Sequence, residues 1–156
     1  MAMPKEENNR GTGLFRTGDE MKDTTQAENV TRAEFIWVDQ GLNCAEDLSI
    51  VLTKVLRNEI QVRRMNGYGS LLDGIILPMT SRQSNSFFNK VVQAMQQWTT
   101  DDYSVRVCDG YRWTLRLYSG NKTVCKLKGT VEPPPNGKDI ANVLKKIIPK
   151  DYFYVF

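Results

Sequence analysis

The side chains that carry most enzyme chemistry are sparse in this sequence. Its 156 residues include no histidine, which excludes serine-histidine triads, cysteine-histidine dyads and histidine zinc sites. Adjacent acids such as Glu46-Asp47 and Asp101-Asp102 point apart on a strand and diverge by about 100° on a helix, so neither pair is a ready acid-base couple. We therefore expect a non-catalytic protein with no catalytic residues, no cofactor and no metal site. An enzyme whose carboxylates converge from distant positions is a third class that stays open.

The three cysteines also predict no chemistry. Cys44, Cys108 and Cys125 form no C-x-x-C motif and leave one cysteine over, which argues against a disulfide framework. We interpret them as reduced, buried thiols. The sequence has no signal-peptide pattern and no apolar run of about 18 residues, so we expect a cytoplasmic protein without a membrane segment.

One region stands out by its charge. Residues 103–128 hold six Lys or Arg and one acid, whereas the whole chain has 21 basic and 18 acidic residues. The positive charge is therefore concentrated in this region. Alternation of apolar and basic residues predicts strands with a basic outer face, which also carries Thr114 and Val124. The candidate binding residues on this face are Arg106, Arg112, Arg116, Tyr118, Lys126 and Lys128.

Three interpretations of this basic face remain open. A solvated strand face is the commonest reason for outward charges, and lysines also discourage edge pairing. Lys and Arg could instead hold phosphates of a nucleic acid, with Tyr118 available for stacking, although no RNA-recognition motif is present. An acidic protein partner is the third possibility. We favour a protein-interaction module, such as a small bacterial inhibitor or immunity factor, with a nucleic-acid-binding module as the alternative.

The first half of the chain predicts a tail and mixed elements. Residues 1–31 are polar and read as a disordered tail, followed by a single α+β domain over residues 32–156. A strand is expected at 34–39. Helical spacing of leucines and valines favours a helix over 44–57, with a strand at SIVLTKV as the competing interpretation. A hairpin turning at Asn66-Gly67 should follow, with IILPM as its second strand.

The second half predicts two amphipathic helices around a sheet. The stretch SNSFFNKVVQAMQQW carries a single apolar stripe, with its serines as candidate N-caps. A second helix should follow the three prolines after Glu132 and end at Pro149. The final DYFYVF is aromatic enough for a last strand.

The strands between these helices are expected to form a meander over residues 103–128. A three-residue loop at Cys108-Asp109-Gly110 pairs Val105 with Trp113 and puts the apolar side chains on one face. A second loop at Ser119-Gly120-Asn121 places Cys125 opposite Leu115. The expected fold is an antiparallel sheet packed against two or more amphipathic helices.

This region resembles a small domain family of uncharacterised bacterial proteins. The residues that carry the resemblance lie between about 84 and 148, and they are Asp109, Gly110, Trp113, Leu115, Leu117, Gly120, Gly129 and Pro133, between two helices. The family pattern reads roughly DGxxWxLxLxxxG, then a glycine and a proline before a last helix. The resemblance implies a helix, meander and helix module and implies no chemistry.

Overall fold

The fold is described from a computed structural model, in which residues 29–39, 48–106 and 110–153 are defined. These ranges form seven strands, two α-helices and a short 3₁₀ helix. The strands are β1 (Arg32–Asp39), β2 (Ser49–Val55), β3 (Glu59–Asn66), β4 (Leu71–Pro78), β5 (Asp102–Tyr103), β6 (Tyr111–Ser119) and β7 (Lys122–Thr130). The helices are α1 (Ser81–Met95) and α2 (Gly137–Lys145), and the 3₁₀ helix spans Lys150–Tyr152. The architecture is α+β, as the sequence predicts.

All seven strands join one sheet in the order β4-β3-β2-β1-β6-β7-β5. Neighbouring strands are antiparallel except β5, which pairs with β7 in parallel over two residues. The centre of the sheet is the pairing of β1 with β6, which runs from Arg32 opposite Tyr118 to Asp39 opposite Tyr111. Strands far apart in sequence therefore form the middle of the sheet.

Side-chain alternation gives the sheet two different faces. The odd-numbered residues at the centre of β1 and β6, including Phe35 and Leu115, are buried on one face, which we call the core face. Helix α1 contacts this face, because the rings of Phe35 and Phe87 meet edge to face with centroids 6.4 Å apart. The opposite face, which we call the outer face, carries the even-numbered residues of β1 and β6.

Helix α1 begins at a capping box. The Thr80 hydroxyl accepts from the Gln83 backbone N–H at 3.1 Å, and the Gln83 side chain accepts from the Thr80 N–H at 2.9 Å. The helix thus starts ahead of the serines that the sequence indicated. Beyond its end, Trp98 is fully buried and its indole N–H donates to the Pro135 carbonyl at 2.9 Å. This bond ties α1 to the proline segment that leads into α2.

Two sequence predictions in the first half are confirmed and one is wrong. Strand β1 covers the expected 34–39, and the β3–β4 hairpin turns after Asn66. The helix expected over 44–57 is wrong where it can be compared, because Ser49–Val55 is strand β2. Val51, Thr53 and Val55 alternate inward, and β2 pairs along its length with β1 and β3, which favours the extended form of β-branched residues.

The predicted meander is wrong in its first strand. The described residues 103–106 do not pair with β6, whose neighbours are β1 and β7. Within this described segment the strand is Asp102–Tyr103, on the far side of β7, and Val105 is 55% exposed instead of facing Trp113. The longer and more apolar β1 takes the place beside β6, since it buries Phe35 and Trp37 along an eight-residue register.

The β6–β7 hairpin itself is present with a different register. Its loop is the two residues Gly120-Asn121, so Cys125 lies opposite Leu117 instead of Leu115. A shift of two residues keeps each side chain on its face. Val124 is the exception, because a β-bulge inserts it as an extra residue, and it is buried instead of outward-facing.

Some expectations fall outside the described residues. These include the tail over 1–28, the start of the predicted 44–57 helix, and most of the Asp109-Gly110 turn. Val30 is fully buried, and the Thr31 N–H donates to the Tyr118 carbonyl at 2.8 Å, so the described chain is attached to the sheet before β1 begins. The expected strand in DYFYVF is wrong at its start, because residues 150–152 form the 3₁₀ helix. No helix among the described residues is long and apolar enough to span a membrane.

Candidate functional site

The outer face combines charged and apolar side chains. The register of the six long strands gives its charged members. The cations are Arg32, Lys54, Arg63, Arg112, Arg116, Lys126 and Lys128, and the carboxylates are Glu34, Glu59 and, from β5, Asp102. Among the described strands, this face therefore carries seven cations and three carboxylates.

Four of the predicted residues form what we call the basic strip, which is Arg112 and Arg116 on β6 and Lys126 and Lys128 on β7. Arg116 lies directly opposite Lys126 in the register. Lys128 pairs with Asp102, with its ammonium nitrogen 3.7 Å from the carboxylate. Within the described part of the chain, the other three have no ion-pair partner. The like-charge pair across β6 and β7 costs stability.

Tyr118 is placed on this face but its groups are engaged. Its hydroxyl donates to Glu34 at 3.2 Å, and the Arg32 guanidinium lies 4.0 Å from its ring centroid. Arg32 also pairs with Glu34 at 3.4 Å. The tyrosine is therefore part of a structural cluster joining β1 to β6, and one side of its ring is already covered by a cation.

Arg106 lies outside the strip. Strand β5 ends at Tyr103, and Arg106 is an exposed residue in the segment that follows. The same segment is fixed to β7 through Val105, whose N–H donates to the Thr130 hydroxyl at 2.8 Å. The structure thus brings five of the six predicted residues onto the β6–β7 outer face.

Next to the basic strip lies a group of apolar residues that the candidate site predicted from the sequence did not include. We call Ile36 and Val38 on β1 and Ile50 and Leu52 on β2 the apolar strip. Each is half-buried, and the register places Ile36 beside Leu52 and opposite Thr114 of β6. The sequence does contain a signal for these residues, because Ile36 and Val38 alternate with the buried Phe35 and Trp37. A strand with apolar side chains on both faces is typical of a strand that is buried on both faces.

Nucleophile and metal chemistry find no support in the described residues. Burial raises the pKa of the Cys125 thiol to about 12, so it stays protonated and unreactive. No cluster of three or more metal-ligating side chains occurs there.

A separate charged cluster lies at the other end of the sheet. Arg64 pairs with Asp73 through two hydrogen bonds, one from its Nε at 2.6 Å, and its guanidinium stacks over the Tyr152 ring. It also donates to the Asp151 carbonyl at 3.0 Å. Hydrogen bonds from Arg64 hold the pKa of Asp73 below its usual range. These contacts anchor the 3₁₀ helix to the β3–β4 hairpin, so we assign the cluster a structural role.

No protein-family model and no curated protein matches this chain.

Proposed function

We propose that this protein is a non-catalytic interaction module that binds an acidic protein partner across the outer face of its sheet. The observation that carries the proposal is the position of the basic strip directly beside the apolar strip. An amphipathic segment with carboxylates along one side and apolar residues along the other would match both strips at once.

The position of the arginines supports a role beyond solubility. Lysines on an unpaired strand edge oppose unwanted pairing, and this accounts for Lys126 on β7, which β5 covers only from Lys128 onward. Lys128 instead pairs with Asp102. Arg112 and Arg116 lie on β6, which is paired on both sides, by β1 and by β7. An interior strand needs no protection against edge pairing, so we assign these two arginines to binding of the partner.

The electrostatics favour a negatively charged ligand. Arg116 and Lys126 face each other across β6 and β7. Glu34 lies opposite Arg116 on β1, but its carboxylate is engaged by Tyr118 and Arg32. A partner carboxylate placed between Arg116 and Lys126 would relieve the like-charge repulsion and gain charge-assisted hydrogen bonds from the guanidinium.

The ring of Tyr118 favours a protein over a nucleic acid. Single-stranded nucleic acids bind through bases stacked on free aromatic rings. Tyr118 carries Arg32 on one side of its ring, and its hydroxyl is bound to Glu34. The basic strip then offers charge without an aromatic ring free for base stacking.

The expected cytoplasmic location remains part of the proposal, because the spacing of the three cysteines suits a reducing compartment.

The test compares two probes by NMR titration of the labelled protein. One probe is a synthetic helical peptide with glutamates on one side and leucines on the other; the second is a mixed-sequence single-stranded DNA. We expect the peptide to shift amides of β1, β2, β6 and β7 and to bind more tightly than the DNA. The double variant Arg112→Glu/Arg116→Glu should bind the peptide at least about tenfold more weakly.

A matched control makes the same charge change on the helices. Arg82 and Lys138 are exposed in the first turns of α1 and α2, where glutamate suits the helix dipole. Arg82→Glu/Lys138→Glu should bind the peptide as the wild type does. Equal loss in both double variants would show only a net-charge effect and would overturn the assigned surface. Tighter binding of DNA, with a steep fall in added salt, would replace the proposal with the nucleic-acid alternative.

A further inference from the structure

The outermost strand β4 is exposed and unprotected. It is eight residues long and has a neighbour on one side only among the described strands. Leu71, Leu72 and Ile76 are 61%, 63% and 66% exposed. A long apolar edge of this kind is a template for pairing with another strand.

Strand β4 has a β-bulge at Leu72, but the other usual protections of an edge strand are missing. Strand β4 contains no lysine or arginine, and its proline, Pro78, stands at its last position. Its single charge, Asp73, is neutralised by the paired guanidinium of Arg64 on β3. The edge therefore presents neither a free charge nor a mid-strand proline to an approaching strand.

The opposite end of the sheet has both lysines and a covering segment. Strand β7 carries Lys122 and Lys126 and has a β-bulge at Val124. The rest of its edge is covered by the segment that contains β5, through Lys128 N–H to the Asp101 carbonyl at 3.0 Å and through Val105 to Thr130. The difference indicates that the open β4 edge is kept for pairing.

We infer that β4 pairs antiparallel with β4 of a second copy of this chain, so that two sheets join into one. An antiparallel strand pair has two-fold symmetry, so one edge can satisfy itself without a second complementary surface. The register centred on Gly74 places Leu72 opposite Ile76 of the second copy, which buries exposed apolar side chains against each other. It places Asp73 opposite Ile75 of the second copy, so the carboxylates do not face each other.

A shallow recess beside this edge fits the same arrangement. It has a volume of about 170 Å³ and its lining includes Ile50, Met65 and Leu72. In the register centred on Gly74, Ile76 of the second copy reaches the Leu72 rim of the recess. The basic strip lies at the other end of the sheet, so the inference does not rest on the proposed function. The two surfaces share Ile50, which belongs to the apolar strip and also lines the recess.

The experiment is sedimentation equilibrium of the full chain over a wide concentration range. We expect the wild type to reach the mass of two chains as concentration rises. Ile76→Lys should raise the dissociation constant of the dimer about a hundredfold, because each dimer loses two buried isoleucines and gains two charges. Leu72→Lys should act in the same direction.

The matched control is Val105→Lys, which replaces another exposed apolar residue, 55% exposed, outside the β4 edge. It should dimerise as the wild type does. Because all three positions are exposed, the variants should keep the wild-type circular dichroism spectrum and urea midpoint of the monomer. A wild type that stays a single chain at every concentration would overturn the inference and leave the edge to a strand of another protein. Equal dimerisation of the Ile76→Lys and Val105→Lys variants would also overturn it.

Discussion

Strands β7 and β4 lie toward opposite ends of the same sheet and differ in how far their edges are protected against pairing with another strand. Strand β7 combines a bulge, outward lysines and a short covering strand, β5. Strand β4 also has a bulge, at Leu72, but it has an exposed apolar edge without lysines, and its one carboxylate is bound to the neighbouring strand. The two ends therefore differ in charge and in cover, and this difference is the basis of the inferred dimer.

The positive charges of the basic strip fall into two groups, the lysines of β7 and the arginines of β6. On the outer face of β7, Lys126 is explained by protection of an edge and Lys128 by its pairing with Asp102. The arginines of β6 are not, because β6 is an interior strand. The binding proposal therefore depends on Arg112 and Arg116 much more than on the lysines beside them.

The largest expected difference between the two ends concerns thiol reactivity. Cys125 on β7 is fully buried, and its thiol has a pKa of about 12. At the other end, the turn between β3 and β4 exposes 71% of Tyr68, so a cysteine placed at that position would be accessible. In a Cys44→Ser/Cys108→Ser background, Cys125 should react with iodoacetamide at pH 8 about a thousandfold more slowly than a free thiol, because almost none of it is thiolate.

The control adds Tyr68→Cys and Cys125→Ala to that background, so that the single thiol is exposed. It should react at the rate of a free thiol. Urea should bring Cys125 to the same rate. Fast labelling of native Cys125 would mean that the β7 edge opens, and the contrast between the two ends would not hold.

The next effect concerns a glycine at the β7 end. A Cβ at Gly129 would lie 2.6 Å from Trp113 Cε2, and the indole is fixed by its own hydrogen bond to the Glu132 carbonyl at 2.9 Å. We expect Gly129→Ala to lower the free energy of unfolding by about 3 kcal/mol, because the indole has no space to move into. Urea denaturation measures this change.

Gly74 provides the corresponding position at the β4 end. A Cβ there would lie 2.9 Å from the Val62 carbonyl oxygen of β3. Strand β4 can move outward because it is an edge strand, so Gly74→Ala should cost about 1 kcal/mol. A larger loss for Gly74→Ala than for Gly129→Ala would show that the β4 edge is the more rigid of the two.

The smallest expected effect is a difference in acid sensitivity. The pKa of Asp73 is lowered chiefly by its hydrogen bonds from Arg64, and that of Asp102 by Ser104 and then Lys128. A carboxyl with a lowered folded-state pKa stabilises fully above its unfolded value, here 3.8, and loses that contribution as pH falls through the folded value.

We therefore expect Asp73→Asn to reduce the drop in urea midpoint between pH 7 and pH 3, and Asp102→Asn to reduce it less. The bidentate arginine at Asp73 is the reason for the order. Urea titrations at the two pH values measure it. An equal reduction in both variants would mean that the two ends bind their carboxylates equally well.

Local patterns predicted much of the secondary structure. The apolar run in β1, the Asn66-Gly67 turn and the apolar stripes of α1 and α2 each follow from neighbours within a few residues. The core face of β6 and β7 was also predicted, despite a two-residue error in register, because strand side chains alternate with a period of two. The β2 segment was ambiguous, since its spacing suits a helix and its β-branched residues suit a strand.

The candidate site was predictable only in part. Arg112, Arg116, Lys126 and Lys128 share a face for the same reason of alternation. Arg106 was expected beside them because a local hairpin was expected, and the sheet instead continues from β6 to β1.

The sequence by itself determined the absence of histidine chemistry, the segregation of positive charge and the two-sided apolar character of β1. Tertiary structure decided which strand lies beside β6, and therefore which residues lie next to the basic strip. These are the apolar strip, with Ile36 beside Leu52, and the pair of Arg32 and Glu34, which contacts Tyr118. It also decided that β4 is left at the edge. Strand order depends on burial summed over partners distant in the chain, and no local pattern contains that sum.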